Sequence, residues 1–264
     1  MLKENDFVML IDTKGKKYII ELKKDNVFYF HKGKVLHNDL IGKPEGYIVY
    51  SSMNEKLIVL KPTLMEYNLY KLKRSSQVIY PKDAGQILVL GDIFPGANVL
   101  ECGCGSGALS LYILRAIGEK GRLVSIDIRE DMLEMTKRNI ENYYRKPIQE
   151  IENLELKLSD IKQAEFPNEF FDRIIIDITD PWEVLHKIYK LLKDSGVACF
   201  WLPTVLQVFN LIDKIEKEFK NIFFLQGIYE TLQREWQKKD LSLRPKDRMV
   251  AHTGFLIVIR KIKQ

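Results

Sequence analysis

The stretch that most constrains this chain is Val99-Leu100-Glu101-Cys102-Gly103-Cys104-Gly105-Ser106-Gly107, an apolar strand end running into a glycine-rich turn. It continues into the helical spacing of Ala108-Leu109-Ser110-Leu111-Tyr112-Ile113-Leu114-Arg115. Glycine at three alternate positions permits a tight turn and lets backbone approach a ligand with no Cβ in between. Gly103-x-Gly105-x-Gly107 is compressed relative to the dinucleotide pattern G-x-G-x-x-G, and Glu101 puts negative charge where a pyrophosphate would be repelled. A pyrophosphate is therefore not the implied ligand.

Leu123-Val124-Ser125-Ile126-Asp127 reads as the next buried strand, with an acid at its C-terminal end 20 residues after Gly107. A carboxylate at that place and spacing accepts hydrogen bonds from ribose hydroxyls. The turn alone also serves plain strand-to-helix connections. Turn and acid together resemble motif I of the S-adenosylmethionine-dependent methyltransferases with a Rossmann-like fold. Their ligand carries a sulfonium and an ammonium group, which nearby carboxylates attract.

A second constellation is Ile176-Asp177-Ile178-Thr179-Asp180-Pro181-Trp182. Asp177 ends an otherwise apolar strand, which sets a carboxylate at the C-terminal edge of the sheet, where a cofactor would face its acceptor. The alternative is a helix N-cap or loop-anchoring acid, a role open to Asp180 as well.

The 264 residues, 46% hydrophobic and 29% charged, are enough for a sizeable core, as one large domain or a main domain with an appendage. No apolar run approaches the ~20 residues of a membrane span, and the N-terminus lacks a signal-peptide apolar region, so a cytoplasmic location is expected. Cys102, Cys104 and Cys199 suit a reducing compartment. The Cys102-Gly-Cys104 pair has neither the spacing nor the second half of a zinc site, so no metal is expected.

Residues 1–62 alternate with the period of strands, as in Phe7-Val8-Met9-Leu10-Ile11 and Lys56-Leu57-Ile58-Val59-Leu60. They predict a small all-β N-terminal domain, a compact barrel. Its lysines supply either a basic, RNA-contacting face or a solvated rim, and composition does not separate the two. The net charge of +5 permits a nucleic-acid partner without requiring one.

Residues 63–264 predict the second domain. Helical spacing begins at Thr63, and Ser75-Ser76-Gln77-Val78-Ile79-Tyr80-Pro81 reads as an extended stretch ending at a helix start, which brings Tyr80 near the rim of the glycine turn. Tyr80 either serves the site or packs on the core. Beyond the turn, helices alternate with apolar strands, and the last two strands close the domain as an antiparallel hairpin. The fold class is α/β: a mostly parallel sheet with a terminal antiparallel hairpin. Gln233 to Lys239 and Arg244 to Arg248 make a long basic insertion in that hairpin, to be read as an RNA contact or a solvated loop.

Five segments together resemble the tRNA (adenine-N1)-methyltransferases that modify T-loop adenosine, the position 58 type. They are Gln77 to Asp83, Leu100 to Leu109, Asp177 to Trp182, Leu202-Pro203-Thr204 with Gln207-Val208, and His252-Thr253-Gly254-Phe255-Leu256. The resemblance covers essentially the whole chain. It implies a β-rich N-terminal domain on a Rossmann-like class I methyltransferase domain, S-adenosyl-L-methionine as cofactor, tRNA as partner and a homotetramer. It assigns Asp177, Tyr80 and Trp201 to catalysis, Asp177 orienting or deprotonating the adenine amine of an extruded base. Glu101, Gly103, Cys104, Gly105, Ser106, Gly107, Asp127, Asp160 and Asp177 fall to the cofactor. Asp127 stands where many members carry glutamate, Cys104 where threonine is usual, and Trp201 where tyrosine is frequent, so no hydroxyl role carries over to Trp201. Two other classes stay open: a class I methyltransferase with another substrate, and a non-catalytic RNA-binding subunit.

Overall fold

The structure, a computed structural model, describes residues 1–74 and 77–263. Ser75 and Ser76, at the start of the extended stretch before Tyr80, lie outside the described residues. The chain divides into two compact units, Met1–Leu72 and Lys73–Gln264.

In the first unit the strands are β1 (Phe7–Asp12), β2 (Lys17–Glu21), β3 (Val27–Phe30), β4 (Gly33–Leu36), β5 (Ile48–Tyr50) and β6 (Lys56–Leu60). Four of them form an antiparallel sheet in the order β2-β1-β6-β5, while β3 and β4 pair with each other as a separate hairpin. In place of the expected barrel there is a four-stranded sheet plus a hairpin, β3 and β4 forming a ladder only with each other. Alternate residues Val8 and Leu10, Leu57 and Val59 point into one core with Leu2, Leu22 and Val35, as the period of two requires. Helix α1 (Leu64–Tyr70) starts with a capping box between Thr63 and Glu66. It falls in the first unit, past the residue 62 limit read from the sequence; Lys17 pairs with Glu66 at 2.6 Å and Tyr67 lies against Phe7.

The second unit carries helices α2 (Pro81–Leu90), α3 (Ala108–Ile117), α4 (Glu130–Tyr144), α5 (Leu185–Leu191) and α6 (Val205–Lys214). Its strands are β7 (Asn98–Cys102), β8 (Arg122–Asp127), β9 (Leu154–Leu158), β10 (Phe171–Ile176), β11 (Leu192–Leu202), β12 (Phe223–Glu230), β13 (Trp236–Lys239), β14 (Ser242–Pro245) and β15 (Phe255–Lys261). The main sheet has the order β12-β15-β11-β10-β7-β8-β9. Strands β7 to β11 are parallel, and β15 runs antiparallel between β11 and β12. This is the mostly parallel α/β sheet with a closing antiparallel pair that the alternation of elements predicts. The basic insertion is not bare loop: β13 and β14 pair within it.

Continuous apolar runs mark the strands buried on both faces. Ile174, Ile176, Phe200, Leu202 and Ile257, on the three adjacent strands β10, β11 and β15, are fully buried in one core with Phe171 and Leu211. Truncating Phe200, 0% exposed, removes packing from the middle of this sheet. Phe200→Ala should lower unfolding free energy by about 3–5 kcal/mol, read as a drop in the urea midpoint at unchanged slope.

Candidate active site

In the main sheet the chain lays β8 and β9 on one side of β7 and then crosses to β10 and β11 on the other. The carboxyl ends of β7 and β10 therefore flank the crevice where open α/β sheets bind ligands. A cavity of about 1240 Å³ opens there. Gly103, Gly105, Asp127, Asp160 and Asp177 line it from the strand ends, and Tyr80 and Trp201 line it as well. The structure thus gathers residues separated by more than a hundred positions. Glu101, Cys104, Ser106 and Gly107 are buried and contribute no cavity wall.

The glycines owe their places partly to protein atoms. Gly103 has φ +90°, and a Cβ there would sit 2.1 Å from the carbonyl oxygen of Asp177. The Asp177 amide donates to the Cys102 carbonyl at 2.8 Å, so the two strand ends touch through backbone alone. At Gly107, φ +77°, a Cβ would meet Thr136 of α4 at 3.0 Å. Helix α4 also grips the turn, Thr136 Oγ1 donating to the Gly105 carbonyl at 3.0 Å and Asn139 Nδ2 to that of Ser106 at 2.9 Å.

Asp127, at the end of β8, accepts from the Gly105 amide at 3.2 Å and the Arg129 amide at 3.0 Å. Asp160 accepts from the Lys162 amide at 2.8 Å in the turn after β9. Glu101 is 1% exposed. Its Oε2 accepts from Ser110 Oγ at 2.6 Å and Ser125 Oγ at 2.5 Å, and its Oε1 has no partner among the described residues. Burial pushes the Glu101 carboxyl up to about 7, with the charges of Asp177 and Asp127 adding to the rise against the two serine hydrogen bonds.

Asp177 is also pushed up to about 7, by burial first and then by the charge of Asp127. No donor reaches its carboxylate among the described residues, in contrast to the anchored Asp127. Cys102, Cys104 and Cys199 are free and buried, and burial raises all three thiols, Cys104 and Cys199 to about 12. These are packing residues rather than nucleophiles.

Tyr80 occupies the N-cap position of α2 with extended backbone and makes no side-chain cap. Trp201 is 8% exposed, and a Cβ on Gly254 would lie 2.5 Å from its indole. Gly254 is therefore the slot that admits the ring.

Two knots beside these rings have no role in the sequence reading. Lys82 Nζ reaches Asp83 at 2.7 Å, the Thr231 carbonyl at 2.7 Å and Thr253 Oγ1 at 2.6 Å, and Thr253 Oγ1 also bonds Asp83 at 2.6 Å. His252 spans Glu230 at 2.7 Å and the Pro203 carbonyl at 2.9 Å. Lys82, Asp83, His252 and Thr253 all sit in motifs singled out above, but apart from the neighbouring pair Lys82 and Asp83 their partners lie 22 to 171 residues away and carry no periodic signal.

The family described as tRNA methyltransferase complex GCD14 subunit matches residues 56–254, and that described as TrmI-like N-terminal matches residues 1–49. A tRNA (adenine(58)-N(1))-methyltransferase TrmI of Thermus thermophilus is 36% identical over 97% of this chain and 97% of its own. The crystal structure of a tRNA (m1A58) methyltransferase TrmI from Aquifex aeolicus superposes with TM-score 0.86 at 30% identity, over 100% of this chain and 99% of that one. That of a SAM-dependent O-methyltransferase from Thermotoga maritima superposes with TM-score 0.90 at 28% identity, over 100% and 95%. Matched in both of its parts and along nearly its whole length, the chain belongs to the tRNA (adenine-N1)-methyltransferase family.

Proposed function

We propose that this protein transfers a methyl group from S-adenosyl-L-methionine to N1 of an adenosine in the T-loop of tRNA, the position 58 type. The observation that carries the reading is Asp177: a carboxylate at the end of an apolar strand, facing the cavity, with no hydrogen-bond donor of its own among the described residues. A loop anchor would have its oxygens engaged, as Asp127 and Asp160 have.

The crevice fits the cofactor by its donor set. A ligand with sulfonium and ammonium charges meets Asp127, Asp160 and Asp177 at the walls and Glu101 behind them, and its binding favours the ionised form of carboxyls that burial disfavours. When bound, S-adenosylmethionine supplies a methyl group already activated by positive charge. Asp127 accepts ribose hydroxyls, and Asp160 adds a second acceptor. Gly103, Gly105 and Gly107 hold the turn, with Cys104 and Ser106 packed beneath it.

Adenine N1 is a weak nucleophile hidden in pairing or stacking, so the base is extruded into the cavity. Tyr80 and Trp201 wall the base, a contribution of about 1–3 kcal/mol per stacked ring. Asp177 accepts a hydrogen bond from the exocyclic amine and takes up, at its carboxylate, the amine proton made acidic by methylation. Positioning supplies the larger share of the rate.

Phosphate contacts fall to the N-terminal unit and to the Arg234–Arg248 insertion, both rich in cations. Exposed Phe224 and Ile228 on the edge strand β12 support self-association, which the proposal takes to be a homotetramer in the cytoplasm.

Asp127→Ala should weaken S-adenosylmethionine binding by about 1–3 kcal/mol, the worth of a charged hydrogen-bond partner. Unchanged affinity by calorimetry would remove Asp127 from the site. Affinity for tRNA should fall steeply with salt while cofactor affinity barely moves; parallel salt responses count against an RNA surface.

Asp177→Asn should cut the single-turnover rate about 10²-fold or more while tRNA affinity changes only a few-fold. A near wild-type rate at saturating cofactor and tRNA reduces Asp177 to a loop residue. The same variant carries a stability signature. The folded carboxyl titrates at about 7 and an unfolded one near ~3.9, so the native state binds the proton more tightly and wild-type stability declines as pH rises between them. The variant should therefore melt above wild type at about pH 8 and level with it at about pH 4.

A further inference from the structure

His252 stands where three segments meet. It closes the far stem of the insertion between β12 and β15, Glu230 ends the near stem, and Pro203 follows β11 two residues after Trp201. His252, Pro203 and Trp201 line the cavity together. The ring of His252 also lies 4.9 Å from that of Phe255, the first residue of β15.

The hydrogen-bond chemistry of this bridge dictates its charge. A backbone carbonyl only accepts, so Nε2, 2.9 Å from the Pro203 oxygen, carries a proton. An ionised carboxylate only accepts, so Nδ1, 2.7 Å from Glu230 Oε1, carries one too. With both bonds made the ring is an imidazolium. The neutral ring has a single N–H and must release one of its two acceptors.

We propose that His252 is a positioning residue for methyl transfer: as a doubly donating imidazolium it ties the insertion stem, through Glu230, to the cavity wall at Pro203, and so fixes the Trp201 segment for the incoming nucleoside. This rests on the methyl-transfer reading above. The charged groups facing the ring are Glu230 from β12 and Lys82 from α2, whose ammonium is held in turn by Asp83. The Pro203 carbonyl and then Glu230 raise the imidazole above the ordinary histidine range, against desolvation and the charge of Lys82. Lys82 holds the same two stems through the Thr231 carbonyl and Thr253 Oγ1. Loss of the His252 proton therefore loosens the stem without freeing it.

The test pairs a titration with kinetics. In nitrogen-15 spectra of the full chain without ligands, assigned by the signal lost in His252→Gln, His252 should carry protons on both ring nitrogens and titrate above ~6.5. Glu230→Gln should lower that midpoint. Above the midpoint, amide exchange in the stems, Glu230–Thr231 and His252–Thr253, should quicken in wild type and be insensitive to pH, after correction for intrinsic exchange, in His252→Gln. The KM for tRNA should rise about 3- to 5-fold across the same midpoint, the scale of a partly exposed charged pair. Cofactor affinity should not follow. A single-protonated ring at neutral pH, or stem exchange and KM with the wild-type pH response in His252→Gln, overturns the proposal. If no tRNA methylation occurs at any pH, the functional reading fails, and the titration and exchange still decide whether the imidazolium holds the stem.

Discussion

The site depends on one contact, the approach of the β7 and β10 ends through Gly103 and Asp177. With a Cβ at Gly103 placed 2.1 Å from the Asp177 oxygen, no other residue lets the strands close, and φ of +90° excludes L side chains independently. The bond from the Asp177 amide to the Cys102 carbonyl then completes the last regular pair, Ile176 with Cys102. This is what holds the Asp177 carboxylate at the cavity wall. The glycine often credited to the ligand is required first by the neighbouring strand.

Convergence of the strand ends also concentrates charge. Glu101, Asp127 and Asp177 come from three adjacent strands of the sheet; besides burial, the charges of Asp177 and Asp127 raise the Glu101 carboxyl, and that of Asp127 raises Asp177. Among the described residues, Asp127 alone of the three accepts backbone amide hydrogen bonds. Asp177 and Glu101 remain near neutrality's edge, a strain characteristic of functional sites. A cationic ligand relieves it, because positive charge favours the ionised form of both carboxyls. Two serines hold Glu101 in place without adding charge.

The features legible in the sequence are local ones. The glycine turn, Asp127 and Asp177 each lie at a strand end whose apolar run marks it, and the alternation of helices and strands is enough to predict a mostly parallel sheet closed by an antiparallel pair. The β3–β4 pair was not legible, since Val27-Phe28-Tyr29-Phe30 lacks the polar alternation of a half-buried strand. The place of α1 in the first unit turns on Lys17 and Glu66, 49 residues apart. The Lys82 knot joins positions 149 and 171 residues apart, and such pairings leave no periodic trace. His252 and Thr253 were visible as a motif, whereas the chemistry of their partners was not.

Tyr80 and Trp201, paired as ring walls by their motifs, are not equivalent in the fold. Trp201 is 8% exposed, and the indole fills the space a side chain at Gly254 would need, so part of its surface is already spent on packing. It presents only its cavity-facing side. Tyr80 is half-buried on the turn into α2, and no packed glycine confines it. One ring sits within a buried strand and the other at a helix entrance, so the two are held by different parts of the fold. At Trp201 the fold holds a well-packed plane, which an indole supplies.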